Sequence, residues 1–326
     1  MPRPNIDVVI PTFGGWTLTE SCLRHLAAQT VPHRVIVVDN GSPDGTPGRI
    51  RDAFPDVEVH QLGENRGFGA ACNVGTDAGS GEVVVLLNND VDADPDFLER
   101  LAEALARDPR IGTVAPLLLR PGRRLIDSVG LAADPTLAGF ARLQGHPMSA
   151  AGDARPVLLG PSGGAAAYRR QAWEQVGGMD ERIFLYQEDL DLGLRLRAAG
   201  WLATTAPDAT AVHLGSATAG RRSASQRRHA GFARGYLLRR YGVLRSPEGP
   251  RALLIEALVA AGDIAVSRDT AALQGRLAGW RAAAGLAART RPVDALDRRI
   301  DLRESIRLRR TDYAVAGARN APKRVP

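Results

Sequence analysis

Cysteine is almost missing from this chain. Only Cys22 and Cys72 occur among 326 residues. Both fall in helix-like stretches, which fits buried thiols in a reducing compartment better than a disulfide framework. Lysine is scarcer still: Lys323 is the one lysine, so arginine supplies nearly all the positive charge. Aromatic residues make up 5% of the chain. So few rings argue against a protein that stacks nucleic-acid bases. No run of about 18 apolar residues is present, so no membrane-spanning helix is expected. The start, Met1-Pro2-Arg3-Pro4-Asn5, leads straight toward an apolar strand pattern, and no secretory leader is expected. Two nucleotide-binding signatures are also missing. No Gly-x-Gly-x-x-Gly follows the first strand, and no Gly-x-x-x-x-Gly-Lys exists, which argues against a dinucleotide oxidoreductase and a P-loop NTPase.

What the chain does have is enough apolar material for a core, 44% of its residues, and one conspicuous stretch. Val83-Val84-Val85-Leu86-Leu87 runs directly into Asn88-Asn89-Asp90-Val91-Asp92. Five apolar residues bounded by polar ones read as a fully buried strand. Asp90 and Asp92 then sit at its carboxyl end, the edge where open α/β sheets bind ligands. Hard oxygen ligands there suit Mg²⁺ or Mn²⁺ carrying a phosphate. A turn that simply favours Asn and Asp accounts for the same letters.

Other strands and helices alternate around this one. Strands are expected at Ile6–Ile10, Val35–Val38, Val57–Val59 and Ile111–Ala115. Helices are expected after Thr17, where Thr17 and Glu20 have the form of a capping box, from about Gly45 to Phe54, from about Ala70 to Ala78, and over Phe97–Ala106 with Asp94-Pro95 as its start. This order predicts an α/β fold with a doubly wound, mostly parallel sheet. Thr12, Asp39 and the Asp90/Asp92 pair then share one carboxyl edge. Residues 117–158 are irregular and rich in Gly, Pro and Arg, with room for one strand pair. Gly160–Tyr168 is small enough for close backbone approach by a ligand, or for a tight turn before a packed strand. Glu188 and Asp189 precede a helix that ends at Gly200, so they either cap it or use its dipole to stay ionised. Asp191 falls inside the first turn, where it serves the dipole. His213 lies in the apolar run Ala211–Leu214, either as a structural residue or as a metal ligand.

Charge divides the chain. Residues 221–326 hold 23 basic and 9 acidic residues, a net +14, whereas residues 1–220 are net −8. Such asymmetry points to an anionic partner, or to a solvated arginine-rich helical surface. Gln226–Tyr241 and Ala252–Ala288 are helical in pattern. Pro292–Pro326 is polar and expected to fray. The expected division is a catalytic domain over 1–220 and a basic helical extension over 221–326.

Six stretches in order resemble the family 2 inverting glycosyltransferases of GT-A fold, in the rhamnosyltransferase and galactofuranosyltransferase branch. They are Val9-Ile10-Pro11-Thr12-Phe13, Val37-Val38-Asp39-Asn40-Gly41-Ser42, Glu64-Asn65-Arg66-Gly67-Phe68-Gly69-Ala70-Ala71-Cys72-Asn73, Leu87-Asn88-Asn89-Asp90-Val91-Asp92, Gly177-Gly178-Met179-Asp180-Glu181 and Tyr186-Gln187-Glu188-Asp189-Leu190-Asp191. The usual Gly-Gly-Phe-Asp carries Met179, a volume-tolerant change. The resemblance spans about residues 5–215. It implies that Thr12, Asp39, Asn65 and Arg66 line a nucleotide pocket and that Asp90 faces the ribose or donor sugar. It further implies that Asp92 binds a divalent Mg²⁺ or Mn²⁺, with His213 as a further ligand, and that Asp189 is the general base. The implied reaction moves a sugar, rhamnose from dTDP-rhamnose or alternatively a UDP-sugar, to a hydroxyl of a glycan or lipid-linked acceptor in cell-envelope synthesis. The scarce cysteines lead to the expectation of a cytoplasmic place, and the basic carboxyl-terminal third offers peripheral contact with the inner face of the membrane. A sugar nucleotidyltransferase and a non-catalytic nucleotide-sugar binder are the competing readings; no nucleic-acid partner is expected.

Overall fold

The computed structural model describes residues 5–215 and 223–308. In chain order the elements are β1 (Ile6–Thr12), α1 (Trp16–Ala27), β2 (Arg34–Asp39), α2 (Thr46–Ala53), β3 (Glu58–Gln61), α3 (Phe68–Ala78), β4 (Val83–Leu87), β5 (Val91–Ala93), α4 (Phe97–Ala106) and β6 (Ile111–Leu119). They continue with β7 (Ile126–Ser128), β8 (Leu131–Ala133), β9 (Gly139–Ala141), β10 (Ala165–Arg169), α5 (Arg170–Val176), α6 (Glu188–Ala198), β11 (Leu202–His213), α7 (Ala224–Arg240), α8 (Gly249–Ser267) and α9 (Ala271–Ala282).

The main sheet runs β3-β2-β1-β4-β10-β6-β11-β5, with β7 beside β6. Its first four strands are parallel. Beyond β4 the sheet is mixed: β10 pairs antiparallel with both β4 and β6, β11 runs parallel to β6, and β5 antiparallel to β11. Both faces are covered. Val8 and Ile10 pack toward α1 and α4, while Val9 packs toward α3, α5 and α6. That burial on both sides is why the strands read as unbroken apolar runs. Small strands β8 and β9 form the pair left room for in 117–158.

Several local expectations change. Thr17 does not cap α1; the helix opens two residues earlier, on Gly15, in the left-handed region at φ 80°. The Gly15 N–H is instead satisfied by Asp44 Oδ2 at 2.8 Å, and Glu20 pairs with Arg24. Asp94 does not cap α4, since its carboxylate takes Arg123 and Thr210. The last strand is longer than the run Ala211–Leu214, beginning at Leu202. The helical stretch 252–288 breaks into α8 and α9 at Arg268, which sits at φ 56°. Residues 292–308 are anchored rather than frayed: Asp297 is buried and accepts the Val157 N–H at 2.8 Å. The remainder of the tail, from 309 on and including Lys323, lies outside the described residues.

Helices α7 and α9 pack backbone to backbone. Gly231 and Gly235 face Gly275 and Gly279, and a Cβ on any of the four would come within 1.9–2.2 Å of the partner's backbone. The carboxyl-terminal segment shares a core with the first part of the chain: Ala233, Tyr236 and Leu237 pack with Leu137, Leu159, Ile183 and Leu190. Much of its arginine points inward. Arg234 and Arg276 bind Glu256, Arg227 binds Asp263 and Asp269, and Arg251 binds Asp134. The charge count therefore overstates what this segment offers to solvent.

Candidate active site

Thr12 and Asp39 end adjacent parallel strands in register. Both are buried. Asp39 accepts the Ser42 N–H, while the Thr12 hydroxyl has no partner. Next to them, Asn40 holds the loop 64–67: its side chain accepts from the Arg66 N–H at 2.8 Å and donates to the Gly67 carbonyl at 3.0 Å. Asn65 spends its side-chain oxygen on the Gly67 N–H. The Arg66 guanidinium lies 3.6 Å from Glu181. The four expected nucleotide-pocket residues thus cluster at one strand edge, with Asn65 and Arg66 on the loop tied beside it.

The carboxyl end of β4 carries Asp90, and the end of β11 carries His213. The structure brings these two together, with His213 Nε2 3.3 Å from Asp90 Oδ1. That oxygen is buried and makes no aligned hydrogen bond. On the other side of the ring, Asp127 Oδ2 lies 2.7 Å from His213 Nδ1. Burial works against the imidazolium, yet the bond to Asp127 and the nearby charge of Asp90 outweigh it and lift the His213 pKa to about 10. Two acids around one imidazole make a place that calls for positive charge. With Nδ1–H given to Asp127, Nε2 and Asp90 Oδ1 are left as a facing nitrogen–oxygen donor pair. A carboxylate behind a ligating histidine is the usual support in metal sites. Among the described residues no group of three or more His, Cys, Asp or Glu is placed to hold a metal ion.

Asp92, the other residue expected to bind the ion, does not lie beside His213. In the antiparallel pairing of β5 and β11, Asp92 lies opposite Val212 and His213 opposite Val91. With alternating side chains, Asp92 and His213 leave the sheet on opposite faces. Asp92 is held by α1: Ser21 Oγ donates to it at 2.8 Å and His25 lies at 3.4 Å. The residue of this cluster that sequence reasoning missed is Asp127. It sits on a three-residue strand inside the stretch read as irregular, with no periodic signal around it.

The acids of α6 reach the same place through Gly163-Gly164. The Gly163 N–H donates to Asp189 Oδ2 at 2.8 Å, and the Leu190 N–H donates to Asp189 Oδ1 at 2.7 Å. A Cβ on Gly163 would stand 3.3 Å from Asp189, and one on Gly164 would stand 3.5 Å from the His213 ring. One dipeptide therefore separates the acid pair from the histidine. Burial raises the pKa of Glu188 to about 8, with Asp189 adding to the shift, and burial also raises that of Asp189. The preceding Tyr186 and Gln187 both hold positive φ, 70° and 63°. Gln187 Oε1 and Glu188 Oε2 are buried without partners. Strained backbone and unsatisfied polar atoms gathered at one cleft are features of functional sites. Asp191, expected to serve the helix dipole, is instead fully buried in an ion network with Arg195, Arg289 and Tyr241.

Residues 7–177 match the family model described as "Glycosyl transferase family 2". The chain is a family 2 glycosyltransferase. The similarity also reaches an N-acetylglucosaminyl-diphospho-decaprenol L-rhamnosyltransferase of Mycobacterium tuberculosis, 34% identical over 245 residues, covering 68% of this chain and 79% of that one. Among solved structures, this glycosyltransferase resembles the mannosyltransferase PcManGT of Pyrobaculum calidifontis in complex with GDP-Man and Mn²⁺. That match has 24% identity and a TM-score of 0.50, over 96% of this chain and 81% of the other. GalNAc-T7 with UDP, GalNAc and Mn²⁺ superposes at a TM-score of 0.55 with 14% identity, over 71% and 48% of the two chains. These likenesses establish the GT-A fold.

Proposed function

We propose that this glycosyltransferase moves rhamnose from dTDP-rhamnose, with inversion, to a hydroxyl of a diphospholipid-linked sugar in cell-envelope synthesis. The donor and acceptor rest on the 34% identical relative, whose name carries both an L-rhamnosyl group and a lipid diphosphate. The mechanism rests on one observation: Gly163-Gly164 holds Asp189 on one side and meets His213 on the other.

Asp90 and His213 would hold a divalent cation, Mg²⁺ or Mn²⁺, which would offset negative charge on the departing diphosphate. Asp127 fixes the imidazole so that Nε2 faces Asp90. Thr12, Asp39 and the 64–67 loop bind the nucleoside at the strand edge. Asp189 removes the proton of the attacking hydroxyl. Its two backbone N–H bonds favour the ionised form, while Glu188, with one oxygen unpartnered, keeps a proton near neutral pH. Two neighbouring carboxyls in unlike environments are thereby set apart in role. One base suffices for a single displacement, unlike the two carboxyls of retaining glycosidases.

Residues 1–220 carry the chemistry in this reading. Residues 221–326 form a basic extension that keeps the enzyme at the inner membrane face, where a lipid acceptor resides. No helix among the described residues is long and apolar enough to cross a membrane. The test is an assay with dTDP-rhamnose, UDP-galactofuranose and other nucleotide-sugars against a lipid-diphosphate GlcNAc acceptor, with Mg²⁺, Mn²⁺ or EDTA. Rhamnosylated lipid and dTDP, lost in EDTA, are the expected products. Transfer from a UDP-sugar alone would replace the donor. Pyrophosphate release from a nucleoside triphosphate and a sugar phosphate would overturn the reaction class.

A further inference from the structure

Helix α8 is inside out. Its acids face inward, Glu256 onto Arg234 and Arg276 and Asp263 onto Arg227. Four of its large apolar side chains face outward, Leu253, Leu254, Leu258 and Val266 being 56, 48, 51 and 80% exposed, while Ile255 is buried. Every other exposed position between Leu253 and Ser267 is alanine or glycine, so the outward face holds no charge over about 20 Å of helix. Scattered exposed leucines are ordinary, but a continuous uncharged face marks a place of contact.

We propose that this face of α8 inserts into the surface of an anionic phospholipid bilayer and sets the enzyme over its lipid-linked acceptor. This rests on the reading of a lipid-linked acceptor for its purpose, and on the surface itself for its chemistry. Two features select a bilayer. Exposed arginines stand at both ends of the apolar face, Arg245 before α8 and Arg268 after it. An apolar stripe with arginines at its borders is the pattern of helices that lie in a membrane interface, with guanidinium groups at the phosphate level. The opposite, inward side of α8 is tied to the wall of the cleft. Asp263 near its carboxyl end pairs with Arg227 of α7. The neighbouring Gln226 bonds the Tyr186 side chain and His229 stacks on Phe184, on the loop that enters the Glu188–Asp189 pair. A bilayer under α8 would thus lie beside the acid end of the active site, where an acceptor anchored in that bilayer arrives. The arginines facing inward on α7 and α9 cannot supply this contact, so apolar insertion carries what charge alone does not.

The test is flotation of the full chain with vesicles of equal parts phosphatidylcholine and phosphatidylglycerol. The wild type is compared with Leu254→Glu/Leu258→Glu, both sites being exposed and outside the catalytic cleft. The expected result is vesicle binding weakened by about tenfold or more, with dTDP affinity unchanged. A second protein, Leu258→Cys carrying an environment-sensitive fluorophore, should report an apolar setting when vesicles are added; the native cysteines are buried. Equal flotation of wild type and the double variant, or a label indifferent to vesicles, overturns the inference. So does a wild type that ignores vesicles but forms a dimer that the variant dissolves, which would make the face a contact between two copies. Failure of the functional reading is separable. Flotation lost in the variant without any transfer to a lipid acceptor leaves the inference standing, whereas transfer with unaltered flotation removes it alone.

Discussion

Asp189 and Asp191 stand two residues apart in the first turn of α6, and their surroundings could hardly differ more. Asp189 meets two backbone N–H groups and a second acid and, among the described residues, no cation. Asp191 is wholly enclosed yet neutralised from three sides, by Arg195, Arg289 and the Tyr241 hydroxyl. Arg289 also binds Asp180, to which Tyr236 donates at 2.6 Å. Burial would raise the Asp180 pKa, but Tyr236 and Arg289 outweigh it and hold the carboxyl below its usual range. One turn of helix thus joins a buried acid without a compensating cation, the base in the proposed mechanism, to an acid compensated by arginine. The guanidinium that compensates it comes from the carboxyl-terminal segment.

Removing the reactive acid should have the largest effect. Asp189→Asn keeps size but cannot take a proton at neutral pH, and kcat should fall by about 10²–10⁴-fold with the fold intact and dTDP affinity little changed. Near-wild-type turnover, with loss in Glu188→Gln instead, would move the base by one residue.

Breaking the compensated acid should act on the other axis. Arg289→Ala leaves buried carboxylates on Asp180 and Asp191, and should cost about 3–5 kcal/mol of stability, measured by denaturant unfolding. Loss of kcat at unchanged stability would show that the two acids are not separate in role.

The histidine site sharpens the comparison from a third side. Asp127→Asn should weaken Mn²⁺ affinity by about 10–100-fold, read by nucleotide binding against Mn²⁺ concentration. Asp92→Asn should change it little, because α1 holds that side chain. The reverse order would return the ion to Asp92.

A smaller effect separates the acids by pH. The Glu188 pKa is raised in the fold, so its stabilising share is full below the ordinary carboxyl range and is lost as pH rises through about 8. The Asp180 pKa is lowered, so its share is present at neutral pH and is lost as pH falls through its folded value. Melting curves of Glu188→Gln should therefore gain on the wild type as pH rises from 5 to about 8. A constant difference would place the raised acidity elsewhere.

Much of this was open to reading from the letters alone. Periodicity exposes strands because a strand buried on both faces must be apolar throughout, so Val83–Leu87 and its neighbours were legible. Acids and Thr12 at strand ends marked the ligand edge for the same reason. What stayed hidden were pairings between residues far apart in the chain. Asp127 reaches His213 across 86 positions, and Arg289 reaches Asp191 across 98. Neither pair leaves a local pattern. The choice between Asp90 and Asp92 was also beyond the motif, since Asp-x-Asp places two carboxylates without saying which faces His213. The register of β5 against β11 decides that.

The amino-acid order by itself determined the alternating strands and helices, the carboxyl edge of the sheet and the acids that gather there, because these follow from local hydrophobic period and from where apolar runs stop. Tertiary structure alone decided which acid meets a histidine, which is neutralised by arginine, and which face of α8 points outward. Each of those depends on what lies opposite in space, and burial gives a carboxylate, a guanidinium or a leucine its meaning only once its neighbours are in place.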